Sequence, residues 1–300
     1  MKKLYLISVN PEHITHKSGM LPSADVMNRY LKPVFWLCLP LLLLSTYYFQ
    51  WKVITHMATA FLGYFLVDLI FSRIRKKAHG GASLTFALLL TLLMPSGVPH
   101  HLVFVGAVFG AVFAKEIFGG TGYHLFSPVI ISKGFLFFSY PTLFSGPDPA
   151  DTAYFASLLN ITEIGWATCS AIILLLALVL ICIKRSNAFI IIPGLLTAYA
   201  VSKIMLHTGA FPFSNFIKFM AADGFVFVLC FLATDPATSP GNNKAKCVYG
   251  IIIGIAAALM RTYSIYAEAM LFAVLLGNLM TPLLQIMFAK KKDGTTDKHR

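Results

Sequence analysis

The chain has 300 residues, of which 57% are hydrophobic and 12% are charged, and its mean hydropathy is +0.75. Soluble domains are roughly 45 to 50% apolar and about 25% charged, so this composition excludes a water-soluble protein. The formal net charge is +12, but the basic residues gather at the ends of apolar runs and do not form a patch of the kind that binds nucleic acid. We therefore predict a membrane protein that contacts lipid and binds no nucleic acid.

Ten apolar runs predict transmembrane helices, because each approaches the roughly 20 residues that cross a hydrocarbon core of about 30 Å. Several runs are short for a full crossing. The predicted spans are residues 34–50, 53–72, 83–96, 101–118, 127–143, 164–183, 188–206, 214–233, 247–262 and 266–288.

The charge distribution predicts the orientation of these spans. Basic residues follow the second, sixth and tenth spans and precede the ninth, which places them on the same side as the basic N-terminal segment. The largest loop on the opposite side, residues 144–163, carries three acidic residues and no Lys or Arg. By the positive-inside rule, both termini are expected in the cytoplasm and this loop outside.

The spans divide the chain into a cytoplasmic segment (1–33), a first transmembrane repeat (34–143), the outward loop (144–163), a second repeat (164–288) and a basic tail (289–300). Five spans per half would insert with opposite orientations, and such inverted repeats place binding sites at interrupted helices near the bilayer midplane. Proline-rich breaks at 94–99 and 235–240 support the repeat, although independent punctuation explains them equally well. The predicted fold is an all-α polytopic membrane protein of about ten helices in two inverted five-helix repeats with interrupted helices.

Asp68 is an isolated acid inside the second predicted span. A carboxylate at this depth is costly unless it has a partner or faces a cavity. Two interpretations are open: an ion pair with Arg75 or Lys76 near the interface, or a ligand for a proton, a cation or a quinone head group.

Lys115 and Glu116 end an apolar span and are followed, after Ile117 and Phe118, by Gly119-Gly120-Thr121-Gly122. Glycine allows tight turns that bring backbone N–H groups against a ligand, although membrane helices also use glycine for close packing. The adjacent charged pair favours a lined pocket, and Lys133 adds a second cation at similar depth. These residues are candidates to hold a cofactor or to gate an ion.

Asp235 precedes Pro236 and therefore marks a helix end, because the residue before proline disfavours the helical conformation. Its carboxylate either caps that end or coordinates an ion. The histidines and cysteines show no metal-ligand spacing, and dinucleotide fingerprints are absent. We predict no metal centre and no direct binding of NADH.

The glycine-rich segment and its surroundings resemble the NqrB/RnfD family. Ala114–Gly122, Ser127-Pro128 and Phe135–Pro141 are similar to that family's KEVFGGTG, NPA and FLFFAYP motifs at the same spacing, and the KEIF form is nearer to NqrB than to RnfD. The resemblance continues to about residue 284. Further similar segments are Ala233-Thr234-Asp235-Pro236, Glu268-Ala269-Met270 and Asn278-Leu279-Met280-Thr281-Pro282-Leu283.

The resemblance implies a component of a bacterial inner-membrane complex that passes electrons from NADH or ferredoxin through flavin (FMN or riboflavin) and exports Na+ or H+. Its partners would be the other Nqr or Rnf subunits, with quinone as acceptor in NqrB-like members. The family fold of two inverted five-helix repeats agrees with the spans read above. Asp68 matches an acidic position near the presumed quinone site.

One departure concerns the cofactor. Family members carry a flavin phosphate ester on an SGAT-like motif in the outward loop, and this loop lacks it, which counts against a covalent FMN. The nearest remnant is Asp151-Thr152-Ala153, so Thr152 is the candidate attachment residue.

Two functions therefore remain open from the sequence. In the first, a redox subunit holds flavin near Lys115, and Asp68 and Asp235 serve the cation or quinone. In the second, a redox-silent paralogue acts as a channel, a solute carrier or an assembly scaffold.

Overall fold

The computed structural model describes residues 24–76, 81–95, 97–144, 185–207, 224–264 and 268–288. These residues form nine α-helices, two π-helical segments and one 3-10 turn (Pro141–Phe144), and they include no β-strand. The helices are α1 Ala24–Phe49, α2 Trp51–Arg75, α3 Ser83–Leu93, α4 His100–Gly110, α5 Pro128–Ser139, α6 Arg185–His207, α7 Phe225–Phe227, α8 Asn243–Tyr263 and α9 Ala269–Met287.

Five of these helices, α1, α2, α6, α8 and α9, are long and apolar enough to cross a membrane. Large apolar side chains such as Trp36, Leu62 and Ile286 are exposed on them, as expected for surfaces that face lipid. The described residues thus confirm the prediction of a helical, multi-pass membrane protein. The count of ten spans stays a prediction, since the span predicted at 164–183 lies outside the described residues.

Helix α1 begins at Ala24, whereas the predicted span began at residue 34. Met27 and Tyr30 in the added turns are buried against the rest of the molecule. A hydropathy window does not detect this extension because residues 24–32 are polar in composition. The added turns are stabilised by tertiary packing on one face. Part of the predicted cytoplasmic segment 1–33 is therefore helical.

The helices at the centre of the first half are short. Helix α3 has 11 residues and α5 has 12, which at about 1.5 Å per residue gives lengths near 16 and 18 Å, well below a bilayer crossing. All of α3 except Leu84 is buried, and the helix packs against α1, α2 and α5. Irregular backbone is tolerated at membrane depth where it is buried in protein, and here longer helices enclose the interrupted ones.

Two helices end in π-helical segments, which are frequent at functional sites. Helix α4 continues as Ala111–Glu116, and the short helix α7 continues as Val228–Leu232. Each segment is followed by an irregular turn that leads into the next helix, α5 or α8. The sequence pattern pairs the break at 235–240 with the one at 94–99. In the structure, the break at 235–240 corresponds instead to the turn after Glu116, because a π-helical segment precedes both. We call the turn after Glu116 the first break and the turn at 235–240 the second break.

In the second half, α6 and α8 pack closely through glycine. A Cβ at Gly250 would collide with the carbonyl group of Ile190, and a Cβ at Gly254 would collide with the carbonyl oxygen of Gly194. The spacing of Gly250 and Gly254 is the small-residue pattern that brings membrane helices into backbone contact. This pair fixes the scaffold around the second break.

Candidate functional site

The end of the first π-helical segment carries a buried ion cluster, which we call the Lys115 cluster: Asp68, Arg75, Ser83, Lys115 and Glu116. The Lys115 ammonium donates to Asp68 Oδ1, and Ser83 Oγ donates to Asp68 Oδ2. Lys115 Nζ also lies 3.4 Å from Glu116 Oε1, and Lys115 itself has no exposed surface. Helices α2, α3 and α4 thus meet through charged and polar groups in an otherwise apolar interior.

Arg75 extends this cluster towards the molecular surface. Its Nη1 donates to Glu116 Oε2 at 2.7 Å and its Nη2 donates to the Glu116 carbonyl oxygen, while the guanidinium lies 5.2 Å from the centroid of the Phe71 ring. The Arg75 side chain is 27% exposed. The four charges alternate in sign along the cluster and sum to zero, which offsets the large cost of placing each one inside apolar helices.

Of the two interpretations of Asp68, the ion pair with Arg75 or Lys76 is wrong, and the role as a ligand stays a prediction. Asp68 binds Lys115 and Ser83, and Arg75 binds Glu116. Seven helical residues separate Asp68 from Arg75, a rise of about 10 Å, so another cation fills the space between them. An acid in the second apolar span and a base near the end of the fourth are the sequence signal for this pair.

The glycine turn after Glu116 closes the helix end. Gly119, Gly120 and Gly122 have φ angles of 123°, 102° and 92°, a region that side chains other than glycine rarely adopt. The Gly119 N–H donates to the Glu116 carbonyl (3.1 Å) and the Gly120 N–H to the Lys115 carbonyl (3.0 Å). These two donors therefore satisfy the helix terminus and do not point at a ligand.

The second break centres on Asp235. Its Oδ1 accepts the Ala237 N–H at 3.0 Å, and its carbonyl accepts the Ser239 N–H at 2.9 Å, so Asp235 closes the turn that follows the π-helical segment, and coordination of an ion by Asp235 stays a prediction. Its Oδ2 also lies 3.1 Å from Nε2 of His124, a fully buried side chain in the first break. The two irregular turns of the molecule are thus in direct polar contact.

The N-terminal helix reaches the same break. Thr234 Oγ1 donates a hydrogen bond to the Cys230 carbonyl oxygen at 2.6 Å. Thr234 Oγ1 also lies 2.6 Å from the Tyr30 hydroxyl, which must therefore be the donor in that second bond. Tyr30 lies in the part of α1 that the predicted spans left out. The turn that bears Asp235 is therefore held by residues from α1 and from the first break.

Lys133 has a different partner from the one predicted. Its ammonium lies 2.7 Å from Glu268 Oε2, and both side chains are buried, so it is not directed at the glycine turn as a cofactor ligand. Phe138 also packs edge-on against Phe272, with 5.5 Å between the ring centroids. The contact joins α5 of the first half to α9 of the second.

Sequence reasoning missed His124 and Ser83 as site residues. His124 follows Gly122 by two positions. A histidine beside a helix break indicates a candidate site residue, but the prediction at this break rested on the glycine motif alone. Ser83 is polar at the start of an apolar helix, where a capping role is the ordinary expectation. Thr152 lies outside the described residues.

The described residues do not fit a flavin cradle built from the Gly119 and Gly120 N–H groups with Lys115 as the cationic partner. The two N–H groups donate to backbone carbonyls, and Lys115 is held by Asp68 and Glu116. Thr121 is half-buried and Gly122 is buried. We therefore derive no step through a flavin at this turn.

The sequence model of the NQR2, RnfD, RnfE family matches residues 14–294. The chain belongs to this family. The match spans both breaks, so the Lys115 cluster and the Asp235 turn lie within the shared region of the family.

Individual relatives agree with that membership. The chain is 29% identical over 254 residues to the B component of the Na(+)-translocating NADH-quinone reductase of Pseudoalteromonas atlantica, covering 74% of this chain and 63% of the relative. It is 30% identical over 250 residues to the protein of the same name from Stutzerimonas stutzeri, covering 72% and 62%. The matched region thus spans under two thirds of these relatives' length.

Proposed function

We propose that this chain is the membrane subunit of an Nqr- or Rnf-type complex that couples electron transfer to cation export across the bacterial cytoplasmic membrane. The observation that carries the proposal is the Lys115 cluster: four alternating charges, three of them buried, inside apolar helices. Intramembrane ionisable groups of this kind mark ion pathways and relays. The names of the relatives supply the reaction class.

In this proposal the carboxylates supply the cation path. Asp68 and Glu116 lie beside the first break, and Asp235 lies at the second. Broken helices near the midplane are where transporters place cation sites, since carboxylate and unwound backbone oxygens are available there. The contact between His124 and Asp235 would couple the two breaks as the cation passes.

Flavin and quinone belong to the proposal through the family resemblance. FMN or riboflavin would supply one-electron chemistry. Thr121, Gly122 and Thr152 remain the proposed contact residues on this chain, since Gly119, Gly120 and Lys133 have internal partners. A quinone near Asp68 would meet a carboxylate whose charge Lys115 balances. Both chain termini would lie in the cytoplasm.

A redox-silent role as a channel, carrier or scaffold is the second candidate. It is favoured by the outward loop, which lacks the flavin-attachment motif, and by the internal hydrogen bonds of the glycine turn. It requires the same buried charges but no electron carrier.

The test compares the purified complex with matched variants. NADH- and ferredoxin-dependent quinone reduction is measured with and without Na+, and flavin is assayed both on denaturing gels and after acid release. We expect bound flavin, and activity that falls at least tenfold in Asp68→Asn and stays unchanged in the exposed control Lys244→Gln. Absence of flavin and of quinone reduction in the wild-type complex would refute the redox proposal and leave the second candidate.

A further inference from the structure

The position of the Lys115 ammonium has the chemistry of a monovalent-cation site. The positive nitrogen lies against Asp68 Oδ1 and 3.4 Å from Glu116 Oε1, and Ser83 completes the polar wall by donating to the other oxygen of Asp68. The ring centroid of Phe86 is 5.9 Å from the nitrogen, within the range of a cation–π contact. Carboxylate and hydroxyl oxygens are ligands that hard metal cations prefer.

The helix that carries Lys115 favours a cation at the same place. Lys115 is the penultimate residue of the π-helical segment Ala111–Glu116, at the C-terminal end of α4, where the helix dipole is negative. Without the ammonium, two buried carboxylates would face one partly exposed guanidinium, that of Arg75. An uncompensated buried charge is strongly unfavourable, so the site demands a cation of some kind.

We propose that the Lys115 ammonium is a tethered cation that fills a monovalent-cation site formed by Asp68, Ser83 and Glu116, and that a translocated alkali cation enters by displacing it. The charges of Asp68, Lys115, Glu116 and Arg75 already sum to zero, so the alkali cation takes the place of the ammonium charge at Asp68, and the ammonium leaves the site as the cation enters. The inference rests on the proposed function, because cation transport is the reason for the exchange. In this role Lys115 competes with the transported cation for the site, whereas a lysine that binds a cofactor would not.

Lys115→Met tests this directly. Methionine keeps most of the lysine stem but lacks Nζ, so it leaves room for one cation between the carboxylates. Complexes are purified in choline chloride and dialysed to equilibrium against 22Na+ at constant ionic strength. We expect Lys115→Met to retain one more 22Na+ per chain than the wild type, and Lys115→Met/Asp68→Asn to retain no extra ion.

Lys133→Met is the matched control. Lys133 is also a buried lysine, but its ammonium lies against one carboxylate, Glu268, whose charge the N-terminus of α9 offsets in part, so Lys133→Met leaves no pair of carboxylates to hold a cation. This variant is expected to bind the same amount of 22Na+ as the wild type. Equal retention by wild type and Lys115→Met would overturn the proposal, and so would an equal gain in Lys133→Met.

Thermal stability and assembly provide a second measurement if Lys115→Met is too unstable for the binding assay. A mobile cation that fills the site stabilises the folded state by mass action, so the variant should melt several degrees higher in Na+ than in choline, with no such shift in the double variant. Failure of Lys115→Met to assemble in every salt, while the double variant assembles, would refute the proposal. Neither measurement needs an electron donor, so loss of quinone reduction bears on the proposed function alone.

Discussion

Removal of Lys133 while Glu268 remains should be one of the most damaging single changes in the described part of the chain. The side chains are 4% and 3% exposed, and Nζ lies 2.7 Å from Oε2. Lys133→Met would leave a buried carboxylate without its cation, which costs about 3 to 5 kcal/mol. At about 2 °C per kcal/mol for a chain of this size, the melting temperature should fall by roughly 6 to 10 °C.

The double variant Lys133→Met/Glu268→Gln separates loss of the charge pair from loss of packing. Removing both charges removes the uncompensated carboxylate, so most of the stability should return, with a coupling free energy of roughly 3 kcal/mol. The assay is thermal unfolding of the purified complex for wild type, both single variants and the double variant. Additive losses, with the double variant least stable of the four, would refute the reasoning that this pair joins α5 to α9 electrostatically.

Three further variants, with Gly97→Ala as the control for the third, test other contacts by thermal unfolding or by the yield of folded complex. His124→Phe removes a partner of the Asp235 carboxylate and should cost about 1 to 3 kcal/mol, and no loss would contradict the contact between the two breaks. Tyr30→Phe removes the buried hydroxyl that contacts Thr234 and should cost about 0.5 to 1.5 kcal/mol. Gly250→Val should prevent α6–α8 packing, whereas Gly97→Ala, with no atom within 4 Å of the added Cβ, should be tolerated; equal yields of folded complex would argue against this packing.

The helices that a hydropathy window predicts best are those whose whole length is apolar. The span predicted at 53–72 corresponds to Trp51–Arg75, and the one at 266–288 corresponds to Ala269–Met287. The beginning of α1 and the π-helical segments were not predictable in this way. Their conformation depends on which neighbours cover Met27, Ala111 or Leu229, and that information lies in distant parts of the chain.

The candidate site was predictable residue by residue, but its pairings were not. Asp68, Lys115, Glu116 and Asp235 stand out because charge inside an apolar span is expensive. The chain is long enough to offer each several partners, and spacing alone favoured Arg75 for Asp68. Only the packing of α2 against α4 brings Lys115 between them, so the interpretation of Lys115 as a flavin ligand could not be separated from that of an ion-pair partner by sequence.

The position of the charges relative to helix ends distinguishes the two buried lysines. Lys115 lies at a helix C-terminus between two carboxylates, so a mobile cation can replace its ammonium. Glu268 lies at a helix N-terminus, so the Lys133–Glu268 pair is stabilised on its acidic side and joins two helices. Because α5 follows directly from the turn that contains His124, this fixed pair holds the first break against the second half. In the proposed exchange, charge would move in the Lys115 cluster beside an anchored contact between the breaks, and displacement of Lys115 would reach Asp235 through the turn that contains His124.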